Sequence, residues 1–94
     1  MMMFKFTAVI RLLEDGNYEI RFPAIKGIRA RGFTVIDAIE NGERALRRFL
    51  EGKINRGEDI PLDVKTVSVN TEESEEIIIT KVIVFIDEKG MLEA

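Results

Sequence analysis

The sequence predicts an α+β domain, a small antiparallel-rich sheet with one main helix packed on one face, in the order β-β-β-α-β(-β). Three observations carry this. Apolar and polar residues alternate over 4–13 and again over 18–22 and 28–31. Turn-forming residues stand at each junction. From Val35 to Leu50 the period changes to three and four, the signature of an amphipathic helix.

The first strand sets Phe4, Phe6, Ala8, Ile10 and Leu12 on one face and Lys5, Thr7 and Arg11 on the other, with Val9 and Leu13 as exceptions. One apolar face at period two describes a half-buried antiparallel strand. Asp15-Gly16-Asn17 tolerates positive φ and predicts a hairpin. The second strand places Tyr18, Ile20 and Phe22 opposite Glu19 and Arg21, and Pro23 ends it because proline cannot donate to a ladder. A short third strand alternates Ile28 and Ala30 with Arg29 and Arg31.

Thr34 is a good N-cap, and Asp37 three residues on completes a capping-box pattern. Val35, Ala38, Ile39, Gly42, Ala45, Leu46, Phe49 and Leu50 form the apolar stripe. Glu40–Arg44 and Glu43–Arg47 have the favourable order for helix ion pairs. Gly42 within the stripe costs about 1 kcal/mol of helix propensity against Ala, so a close approach to the sheet is expected there. Gly52 and Gly57 are both candidate helix ends. After Ile60-Pro61, residues 64–69 predict a fourth strand, 70–76 an acidic connector, and 76–87 a fifth strand. The tail is expected to fray.

The fifth strand is apolar on both faces. Ile78, Val82, Val84 and Ile86 point one way, and Ile77, Ile79, Ile83 and Phe85 the other. One helix covers only one face of a small sheet, so the second row predicts a protein interface at Ile77, Ile79, Ile83 and Phe85. The bland alternative is that the segment folds back across its own domain.

Composition narrows the function. The chain has 94 residues, 46% hydrophobic and 33% charged, with a net charge of -3. That fits a single domain over 1–94 with a core small enough for a homo-oligomer, dimer or larger, to help it. A mildly acidic domain suits a basic protein better than a nucleic acid. With no Cys and no His, disulfides, thiolate metal sites and the usual general base are excluded. No uncharged run approaches the roughly 18 residues of a membrane span, and no signal peptide is recognisable, so a cytoplasmic location is expected. Abundant Ile, Glu and Arg point to a thermophilic source.

Phe6-Thr7-Ala8-Val9-Ile10, the acidic-glycine turn, Pro23-x-x-x-Gly27, Gly32-x-Thr34-x-x-Asp37-Ala38, the helix and Ile60-Pro61 together resemble HicB-like antitoxin domains. The resemblance spans about residues 4–62. It implies a truncated RNase H-like fold and a non-enzymatic role, binding and blocking a small basic RNase toxin. Many members carry a C-terminal DNA-binding module. Here strands follow Pro61, so 63–87 is expected to be a β-strand extension with no DNA binding. The alternative function is a stand-alone homo-oligomeric HicB-like domain with no toxin partner.

No catalytic, cofactor or metal residue is expected. A metal nuclease of RNase H type needs a carboxylate in the middle of the first strand, and Lys5, Thr7 and Arg11 stand there. Glu14 and Asp15 read as a solvated hairpin tip. Asp59 and Asp63 read as loop acids, and Ser68 and Ser74 have no His to activate them. Arg44, Arg47 and Arg48 read as a solvated helix face balanced by Glu40, Glu43 and Glu51. Arg29 and Arg31 form a second small basic set. The acidic run Glu72, Glu73, Glu75 and Glu76 reads as a loop suited to steering a basic partner.

Overall fold

The computed structural model describes residues 1–67 and 76–87. Three strands, β1 (Met2–Leu12), β2 (Tyr18–Phe22) and β3 (Ile25–Gly32), precede a helix, α1 (Val35–Asn55), and β4 (Ile77–Ile86) follows it. They form one antiparallel sheet in the order β3-β2-β1-β4. β4 therefore pairs within its own chain, along ten residues of β1 from Met2↔Ile86 to Arg11↔Ile77.

Residues 64–67, expected to begin a fourth strand, are not in a strand, and 68–69 lie outside the described residues. Asp63, just before this stretch, is instead anchored on β1 by the Thr7 main chain and hydroxyl and on β4 by Lys81. The expected connector over 70–75 and the tail from 88 onward also lie outside the described residues.

The alternation in the first strand produces the core. Phe6, Ala8 and Ile10 join Ile20 and Phe22 of β2 and Val82, Val84 and Ile86 of β4 on one face. Ala38, Leu46 and Leu50 of α1 seal it. Complete burial of side chains such as Leu46 and Leu50 is worth about 1.5–3 kcal/mol each.

Both ends of α1 are closed by local bonds. Thr34 Oγ accepts the Asp37 N–H at 3.1 Å. At the other end the Gly57 N–H donates to Ile54 O at 3.1 Å and the Glu58 N–H to Lys53 O at 2.9 Å. This is a Schellman arrangement, so of the two candidate glycines Gly57 ends the helix and Gly52 lies within it. Glu43 and Arg47 pair at 2.8 Å as expected. Arg44 instead donates to the Asn41 side chain, which itself donates to Arg31 O.

Gly42 is a point of close helix–sheet approach. A Cβ there would meet Ile20 Cγ2 at 2.7 Å and Cδ1 at 3.0 Å. Ile20 is completely buried and has nowhere to retreat. Gly42→Ala is therefore expected to destabilise the fold by about 1–3 kcal/mol despite the better helix propensity of alanine. Chemical denaturation checks this; equal or greater stability would refute the tight contact.

Candidate functional site

Among the described residues, the second face of the sheet, away from α1, is uncovered over much of its area. Facing pairs place Met3 beside Phe85, Lys5 beside Ile83, Thr7 beside Lys81, Val9 beside Ile79 and Arg11 beside Ile77. The predicted row lies here. Ile79, Ile83 and Phe85 are 51%, 45% and 50% exposed, and Ile77 is half-buried. Met3 extends the apolar surface at 58% exposure. The other row of β4 lines the core, so both expected faces are placed as the alternation implied.

The middle of this face is polar and tightly bonded. The Thr7 main-chain N–H donates to Asp63 Oδ1 at 2.8 Å, and its hydroxyl donates to Asp63 Oδ2 at 2.7 Å. Lys81 Nζ donates to Thr7 Oγ at 2.6 Å and to Asp63 Oδ2 at 2.7 Å. Thr7 is almost fully buried and its hydroxyl is occupied both as donor and as acceptor. The cluster resembles a Thr-Lys-acid nucleophile set in composition, but its hydrogen bonds make it a clamp that holds the post-helix chain on β1. Burial opposes ionisation of Asp63. The hydrogen bonds from Lys81, from the Thr7 main chain and hydroxyl, and from the Val64 N–H outweigh it and hold the carboxyl at about 2.

The clamp also fixes how β4 presents its edge. Because the Thr7 N–H is turned to Asp63, Thr7 and Lys81 are a facing pair that exchanges no main-chain hydrogen bonds. By alternation, odd-numbered β4 residues aim their main-chain groups at the open edge. Arg47 of α1 donates to Phe85 O at 2.8 Å, as this requires. Among the described residues the main-chain groups of Ile77, Ile79, Lys81 and Ile83 on that edge have no partner.

On β2 and β3 the same face is cationic. Arg11 bonds the buried Glu19 at 3.1 Å, Arg29 approaches Glu19 at 3.9 Å, and Arg31 approaches Asp15 at 3.9 Å. The sequence set Arg29 and Arg31 apart as a basic pair but did not show that register adds Arg11 and Arg21. On the helix side, a hollow of about 430 Å³ lies beside the exposed Phe33. Its Arg31 and Arg44 are balanced by Asp37 and Glu40. Among the described residues no three carboxylates converge in a way that would hold a metal ion. Nor is any described helix long and apolar enough to cross a membrane.

A four-stranded antiparallel sheet with one helix packed on one face, and the other face open among the described residues, defines a small α+β domain. No family model matches the chain. It is 36% identical over 59 residues to UPF0150 protein Ta0767 of Thermoplasma acidophilum, covering 63% of this chain and 86% of that protein. The chain belongs to the UPF0150 family, and this relative fits the thermophilic expectation. The fold is that of HicB antitoxin domains. The crystal structure of the Burkholderia pseudomallei antitoxin HicB superposes with a TM-score of 0.68 at 25% identity, over 84% of this chain and 60% of that one. A toxin–antitoxin complex from Streptococcus pneumoniae gives 0.76 at 17% identity, over 94% of this chain and 73% of that one.

Asp63 makes the stability of this face pH-dependent. Its folded-state value lies below the ordinary 3.8, so the stabilisation is complete above pH 3.8 and is lost as the pH falls towards about 2. With solvent screening the contribution is about 1–2 kcal/mol at neutral pH. Asp63→Asn is expected to lower stability by that amount at pH 7 and to match the parent near pH 2. Denaturation curves at the two pH values check it; an equal gap at both would remove Asp63 from this role.

Proposed function

We propose that this chain is a single, non-enzymatic HicB-like domain that acts as an antitoxin, covering a small basic toxin with the outer face of β4. One observation carries the reading. Ile79, Ile83 and Phe85 remain about half exposed on an edge strand, in a fold shared with antitoxins and toxin–antitoxin complexes. Apolar rows of this kind supply binding energy when a partner buries them. Charge supports the choice of partner. Glu76 and Asp87 bracket the β4 row, whereas the arginines of β2 and β3 would repel a basic protein and direct it towards β4.

A second reading is favoured by the open main-chain edge of β4. Two copies pairing edge to edge about a two-fold axis would satisfy those groups and set the two apolar rows side by side on one continuous face. In that case the chain is a stand-alone homo-oligomer with no toxin partner.

Co-expression with a small basic protein encoded beside it, followed by native mass spectrometry, separates the two. The antitoxin reading expects a stoichiometric complex that weakens at high salt and is lost in Ile79→Glu/Ile83→Glu, with the circular dichroism spectrum of the variant unchanged. If that variant unfolds, Ile83→Asn serves instead. A homodimer with no bound partner, converted to monomer by the same changes, overturns the antitoxin reading and establishes the second. A complex unaffected by either variant would place the interface elsewhere.

A further inference from the structure

The β2–β3 hairpin contains an irregularity in its register. Phe22 pairs with Ile25 across Pro23-Ala24, yet the next residue, Arg21, pairs with Arg29. Lys26, Gly27 and Ile28 thus bulge out of the ladder with no residue opposite them, at a φ of 91° for Gly27. Bulges re-aim side chains and are enriched beside functional sites.

This bulge places two arginines directly opposite each other. Like charges facing across an antiparallel pair are destabilising. The nearest carboxylate, Glu19, is shared and lies outside the recess. The hairpin forms a cavity of about 410 Å³ whose charged lining is Arg21, Lys26 and Arg29, with no carboxylate. Arg21 and Lys26 have no ion-pair partner among the described residues. Arg29 comes within only 3.9 Å of Glu19, which Arg11 holds more closely at 3.1 Å. Phe22, Pro23, Ile25, Gly27 and Ile28 complete its lining. The arrangement is three cations converging on a recess, two with planar forks suited to bidentate oxyanion contacts.

We propose that the recess at the β2–β3 bulge binds a multivalent phosphate group, held between Arg21 and Arg29 and capped by Lys26. The bound anion replaces the missing carboxylate between the opposed guanidinium groups. The group has two sources, a free diphosphate-type ligand or the backbone of a nucleic-acid strand, and the recess favours the first because its three cations line one local hollow.

The test is an NMR titration of the full chain with inorganic pyrophosphate at constant ionic strength, following the arginine Nε–H signals. A second arm uses a short single-stranded RNA. Saturable shifts at Arg21 and Arg29 are expected with pyrophosphate. Arg21→Gln/Arg29→Gln should weaken binding at least tenfold without lowering the melting temperature, since a like-charge pair is removed. Arg48→Gln on the helix should bind as the parent does. Pyrophosphate should raise the melting temperature of the parent and not of the double variant. Absence of saturable shifts, or parental affinity in the double variant, overturns the site. Binding of RNA without binding of pyrophosphate also overturns it, in favour of a strand track across the cationic face.

Discussion

The structure depends on how β1 is covered. It pairs with β4 along ten residues, but on its other side β2 reaches it only from Leu12 back to Val9. Below that register the Thr7 N–H is a buried donor with no strand to receive it. Asp63 fills the place of the missing strand with one carboxylate oxygen and takes the hydroxyl with the other. An unsatisfied donor there would cost about 1–3 kcal/mol. The bond also ties the chain leaving α1 to the centre of the sheet, fixing the direction from which β4 arrives.

From that anchor the two faces acquire different roles. The α1 face is closed by Gly42 against Ile20 and by Leu46 and Leu50. The other face is divided across its width, apolar along β4 and cationic along β2 and β3. The division follows from residue parity once register is set. Odd residues of β1, β2 and β4, and of β3 beyond its bulge, share that face, with Arg11, Arg21, Arg29 and Arg31 towards one side and Ile77, Ile79 and Ile83 towards the other.

Much of this was legible in the sequence because parity and helical period are local properties. The α1 stripe, its Thr34 cap, the close approach at Gly42 and the two rows of the last strand all follow from spacing alone. What could not be read depends on partners distant in the chain. Val9 looked like an exception to alternation, yet it is buried on the face opposite the core. Asp63 looked like a solvated loop acid because its partners lie 56 residues upstream and 18 downstream. It stands just before residues 64–67, where the expected strand is absent. Arg21 and Arg29 are eight residues apart, and only the bulge sets them opposite each other.

The clamp bears on the candidate interface as well as on stability. Lys81 stands in the middle of the apolar row, where a bare ammonium would make burial against any partner costly. Its pairing with Asp63 and Thr7 at 2.7 and 2.6 Å supplies that charge with partners before docking begins. Lys81 keeps half of its surface in water, so it also discourages indiscriminate edge pairing while the domain is alone. Arg47 does the same at Phe85 O. The β4 side is thus neutralised on its side-chain face and guarded on its edge at Phe85 O, while among the described residues the main-chain groups of Ile77, Ile79, Lys81 and Ile83 stay open to a further strand.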